Sequence, residues 1–112
     1  MQKKTDKTEV ELYRNARMRV LYFDNQKMDD IPCEVRFNGK TMVISYEGND
    51  GIEVHVGTEE PTQGHFITLC EATGGRAIVQ RLPGSAVLNL YWKENDGFEG
   101  MSRIELGKRF LK

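Results

Sequence analysis

IPCEVRFNGKTMVISYEG, residues 31–48, consists of two runs of alternating apolar and polar side chains around Asn38-Gly39. Both central residues tolerate the positive φ of a tight type I′ turn, so the pair marks a hairpin. Pairing Phe37 with Lys40 sets Val35 opposite Met42, Cys33 opposite Ile44 and Ile31 opposite Tyr46. The reverse face then carries Glu34, Arg36, Thr41 and Ser45. A slip of one residue would mix these sets, and burial of one face opposes it.

Working toward the C-terminus, YEGNDGIEVHVGT (46–58) predicts a second hairpin. Pairing Tyr46 with Ile52 puts Ile44 against Val54 and Met42 against Val56, which extends one apolar face over three strands. Glu53 and His55 then share the opposite, solvent-facing side. The next pair is HFITLCEA and RAIVQRL around Thr73-Gly74-Gly75, with Ala72 facing Arg76 and Cys70 facing Ile78. A last hairpin, SAVLNLYWKENDGFEGMSRIEL (85–106), turns at Asn95-Asp96-Gly97. Its expected core is Ala86, Leu88, Leu90, Trp92, Ile104 and Leu106, with Tyr91 facing Met101 and Asn89 approaching Arg103 on the other side.

Toward the N-terminus, VELYRNARMRVLYF (10–23) places Val10, Leu12, Ala16, Met18, Val20 and Tyr22 on one face, interrupted by Arg14. Ala, Arg, Met and Leu favour helix, whereas the RVLYF end favours strand. The expectation is a long first strand bulged near Asn15 or Ala16. Residues 1–8 form a polar tail and 9–112 a single β domain. About eight antiparallel strands on short loops close most economically as an up-and-down β-barrel, since closure removes the unpaired edges. A β-sandwich or partly open barrel buries the same faces.

The chain has 112 residues, enough for one core, and its net charge of -1 provides no global field for nucleic acid. Arg14, Arg17 and Arg19 are a local exception, read as a solvated strand face. No run approaches the ~18 apolar residues of a membrane helix. MQKKTDKTEV lacks the apolar segment of a secretory leader, so a cytoplasmic location is expected. Cys33 and Cys70 have no CxxC partner and lie in apolar strands, which predicts two buried thiols rather than a disulfide, a redox pair or a structural zinc site.

Catalytic spacing is thin. HFITLC alternation puts His65 on the face opposite Cys70, and no H-E-x-x-H or dense ligand cluster occurs. The expectation leans away from an enzyme, with no catalytic residue, metal or cofactor assigned. The residues chosen to orient a ligand are His65, Arg81, Asn89, Tyr91 and Arg103, provided that their face closes inward; they set hydrogen-bonding groups beside apolar positions. Tyr46, Met42 and Trp92 either fill the core or wall a pocket. The expected function is therefore a non-catalytic barrel binding a small, partly apolar ligand. The alternative is a protein-interaction module or homodimer without a cavity, using Tyr91, Met101 and Phe98.

Overall fold

A computed structural model describes residues 10–48, 51–60, 64–82 and 84–110; the proposed tail therefore lies outside the described residues. Eight strands run β1 (Val10–Tyr22), β2 (Met28–Asn38), β3 (Thr41–Gly48), β4 (Gly51–Glu59), β5 (His65–Cys70), β6 (Gly75–Arg81), β7 (Val87–Lys93) and β8 (Glu99–Glu105). Each pairs antiparallel with its sequence neighbour, and β1 closes on β8 to complete the barrel.

β1 achieves closure because it is long and broken once. Its register against β2 shifts between Tyr13 and Ala16, as the sequence pattern anticipates. The bulge resets the alternation: Tyr13 points inward before it, and Ala16, Met18 and Val20 after it. Val10 is consequently exposed and Leu12 only half-buried, which corrects their placement on the core face. The same bulge explains why Arg14 interrupts the pattern, since an extra residue bends the strand and rotates its faces. Beyond the bulge, Arg17 pairs with both Pro32 and Glu105, so β1 bridges β2 and β8.

The β2–β3 hairpin keeps its expected faces but shifts its turn. Asn38 pairs with Thr41, so Gly39 and Lys40 form the loop. Gly39 supplies the positive φ of 63° at the first loop position, the type II′ pattern. Val35 now meets Ile44 and Phe37 meets Met42. Because the displacement preserves the two-residue period, the same side chains remain inside.

β4 differs more deeply. Tyr46 pairs with Glu53, not Ile52, and Ile44 pairs with His55. This one-residue change turns Ile52, Val54 and Val56 outward, with Ile52 66% exposed. Glu53 and His55 move inside, where His55 is 9% exposed. Gly48 opposite Gly51 makes the connection shorter than the Tyr46–Ile52 pairing requires. Gly57 permits the inner register: a Cβ there would lie 2.6 Å from the Ile67 carbonyl oxygen.

The β5–β6 pairing is also corrected. Cys70 meets Gly75 across a four-residue turn, Glu71 to Gly74, closed by a 2.7 Å hydrogen bond from Gly74 N to Cys70 O. Phe66, Thr68, Cys70, Ala77 and Val79 face inward, and His65 does lie on the side opposite Cys70. In the last hairpin Tyr91 pairs with Met101 and Asn89 with Arg103, as expected. Leu88, Leu90, Ile104 and Leu106 are buried and Trp92 packs against them, but Ala86 precedes β7 and is exposed.

Met42, Ile44, Val35, Val79, Leu88, Ile104 and Leu106 fill the middle of the barrel. An eight-stranded barrel leaves an interior about wide enough for side chains. Cavities therefore occur toward its ends. Both cysteines are buried free thiols, and burial raises the Cys33 pKa to about 11.

Candidate functional site

One end of the barrel holds a cavity of about 480 Å³. Met18, Val20, Ile31 and Ser102 contribute from within the strands, and Tyr22, Trp92 and Phe98 provide aromatic rings. Tyr22 ends β1, Trp92 lies on β7 and Phe98 in the β7–β8 turn, so barrel closure brings the rings together. The Tyr22 and Trp92 ring centroids are 5.7 Å apart at 77°, and Tyr22 stacks on Phe98 at 5.5 Å. Trp92 and Phe98 centroids are 6.0 Å apart. The Tyr22 hydroxyl donates to Asp29 Oδ2 at 2.8 Å; burial and this carboxylate raise its pKa to about 12.

A polar group adjoins this aromatic one. Tyr46 on β3 donates its hydroxyl hydrogen to Glu53 Oε1 at 2.9 Å, and its oxygen is 3.1 Å from His55 Nε2. The hydroxyl has one proton, already given to Glu53, so His55 donates through Nε2–H. The Tyr46 and His55 rings stack with centroids 5.5 Å apart. His55 Nε2 is 3.6 Å from Glu53 Oε1. Burial lowers the His55 pKa from its ordinary value, while Glu53 opposes that shift. The imidazole is therefore neutral near pH 7, and its contact with Glu53 is not a full ion pair. Burial chiefly raises the Tyr46 pKa, and Glu53 adds to the effect.

Five acidic residues, Asp29, Glu47, Glu53, Glu94 and Asp96, line the cavity. Among its described lining residues there is no lysine or arginine. Burial raises the Glu94 carboxyl pKa, and Glu53 and Asp96 reinforce the shift, against a lowering contact from Thr73. The end of the barrel thus combines negative charge with aromatic faces.

The residues singled out from sequence lie elsewhere. His65, Asn89, Tyr91 and Arg103 share the outer face: His65 pairs with Gln80, Gln80 with Asn89, and Asn89 with Arg103. Tyr91 sits beside them between Ile78 and Met101. Arg81 is separate and points inward at the opposite end. Its guanidinium lies 4.4 Å from the Phe37 ring centroid and 3.3 Å from Glu11 Oε1, bordering a second cavity of about 400 Å³. Arg17 and Arg19 contact Asp30, and Arg14 contacts Glu34, so acids on β2 face this basic cluster.

Tyr46 and Trp92 do line the first cavity, whereas Met42 is fully buried in the core. The Glu53–His55 pair was visible as an i, i+2 pattern but assigned to solvent. The Gly48–Gly51 pair at the end of the two strands fixes its true register. Tyr22, Asp29 and Phe98 reach the site through closure and had no local sequence signal.

The chain is a closed, eight-stranded antiparallel barrel with a cavity at one end. No known protein family, curated protein or solved structure matches it. Among the described residues, no helix is long and apolar enough to cross a membrane.

Proposed function

We propose that this protein is a non-catalytic binding module whose barrel end takes a small, partly apolar ligand that is neutral or cationic. The observation that carries this reading is the 480 Å³ cavity with Tyr22, Trp92 and Phe98 beside five carboxylic residues. Its size falls in the ~300–1,000 Å³ range of small-molecule sites, which combine apolar walls with a few polar anchors. Negative charge disfavours an anionic guest, whereas the ring faces attract an ammonium group by about 0.5–2 kcal/mol. The two buried free thiols fit a reducing, cytoplasmic setting.

Trp92 is the sole tryptophan, so its fluorescence reports this site directly. Matched aromatic probes bearing an amine, an amide or a carboxylate should separate. The amine and amide should change Trp92 emission saturably, with the carboxylate at least tenfold weaker. Loss of this order by charge corresponds to about 1.4 kcal/mol. No saturable response to any probe, or preference for the carboxylate, refutes the proposal.

The outer surface supports a second function. Ile67, Ile78, Tyr91 and Met101 follow one another across β5–β8 and are exposed. Ile52, Val54, Val56 and Leu69 border an adjoining surface recess. Large exposed apolar surfaces serve interfaces, and His65, Asn89 and Arg103 would add a polar margin to this one. Under this reading the protein self-associates through that face. Light scattering during size-exclusion chromatography should then show a dimer that Ile78→Glu converts to monomer. A native monomer at all concentrations refutes the homodimer.

A further inference from the structure

We propose that Glu53, His55 and Cys70 form a three-ligand site for a zinc-class divalent cation at the edge of the aromatic cavity. Their donor atoms, one carboxylate oxygen, one imidazole nitrogen and one sulfur, all lie within 4.8 Å of one another. This proposal is independent of whether an organic ligand occupies the same end of the barrel.

Strand register assembles the trio. Glu53 and His55 are two residues apart on β4 and project to the same side. Val56 pairs with Leu69, placing the next inward residues, His55 and Cys70, beside each other on adjacent strands. Tyr46 holds both β4 donors through its hydroxyl, at 2.9 Å from Glu53 Oε1 and 3.1 Å from His55 Nε2. The arrangement therefore rests on paired backbone rather than on loops.

The geometry is near that of a metal site. Zn²⁺ bonds of about 2.0–2.3 Å imply tetrahedral donor separations of roughly 3.3–3.8 Å. Glu53 Oε1 and His55 Nε2 are already 3.6 Å apart. Side-chain rotations of about 1 Å would bring sulfur to the same centre, an adjustment within the ±30° play of a rotamer well. Cys70 would bind as thiolate, and His55 would exchange its Nε2–H contact with Tyr46 for a bond to metal. The Cys70 thiol proton leaves to solvent, while the His55 proton moves from Nε2 to Nδ1 so that the imidazole binds neutral, with no redox change.

The donor set favours zinc over magnesium or calcium. Thiolate and imidazole suit a borderline-soft ion, while the harder cations require an oxygen cage. Five acidic residues with no described lysine or arginine in the lining independently favour a cation here. Glu53 and His55 border the cavity, so water or a ligand donor completes the coordination from that side.

Reduced, chelator-treated protein titrated with Co²⁺ tests sulfur ligation, and Zn²⁺ competition with a chromophoric chelator measures affinity. The expected result is one ion per chain and a cobalt–thiolate charge-transfer band that Zn²⁺ removes. Cys70→Ser should eliminate the band, whereas Cys33→Ser should retain it. His55→Gln and Glu53→Gln should each weaken Zn²⁺ by more than the about 10–100-fold typical of losing an outer-shell partner. Circular dichroism identifies variants that remain folded, and the Cys33 control separates ligation from general thiol loss. Absence of one-to-one Zn²⁺ binding, a band surviving Cys70→Ser, or a band lost on Cys33→Ser overturns the proposal. Unchanged Zn²⁺ affinity in folded His55→Gln or Glu53→Gln also overturns it. The Trp92 probe experiment remains readable in every case.

Discussion

Ile44→Ala should lower the unfolding free energy by about 2–5 kcal/mol, while Val54→Ala should cost less than about 1 kcal/mol. Both positions are apolar members of neighbouring strands, and simple alternation puts them on the same buried face. In the barrel they lie on opposite sides: Ile44 is 2% exposed and Val54 42%. Ile44 pairs with Val35 and His55 in the packed interior, so truncation removes buried area and leaves a cavity. Val54 is already hydrated, and its removal relieves little buried contact. Urea denaturation of the two variants measures the difference. Equal losses would show that β4 has the other register, taking Glu53 and His55 out of the cavity.

Tyr46→Phe should cost about 1.5–3 kcal/mol, the scale of hydrogen bonding to a charged group. It preserves the stacked ring but leaves Glu53 Oε1 and His55 Nε2 without their shared hydroxyl. Acidity supplies a companion measurement. Burial lowers the folded-state pKa of His55 below its ordinary 6.5, with Glu53 opposing the shift. Between the lowered folded value and 6.5, the unfolded chain binds more protons, so stability rises with pH. This contribution is full above about pH 6.5 and is lost as pH falls toward the folded pKa. Urea midpoints from pH 7.5 downward should therefore decline more steeply for the native chain than for His55→Gln. Parallel pH curves would show that His55 remains solvated, and an unchanged midpoint in Tyr46→Phe would show that the hydroxyl bridge contributes no stability.

The parts of the fold legible in sequence depended on a two-residue period reinforced by turns. In β2 and β3, displacement by a pair of positions left Cys33, Val35, Met42 and Ile44 inside, so the core survived an inexact turn assignment. In β7 and β8, Asn95-Asp96-Gly97 and the alternation agreed, and the Tyr91–Met101 register followed. β4 defeated the same logic because its apolar residues occupy the outside. Hydrophobicity favours burying Ile52, Val54 and Val56, but turn length and the close passage of Gly57 by Ile67 select the other face. A one-residue difference was enough to hide the principal polar cluster.

Sequence by itself determined the antiparallel strands, the bulged first strand, the economical closure into a barrel and two unpaired thiols. These features follow from local alternation, turn chemistry and residue type. Tertiary structure alone decided which side of β4 faces inward and gathered Tyr22, Trp92 and Phe98 from distant positions into one wall. It also set Cys70 beside Glu53 and His55. The physical reason is that a strand's period defines two faces, but only the register of its neighbours and the curvature of the closed sheet decide which face becomes the interior.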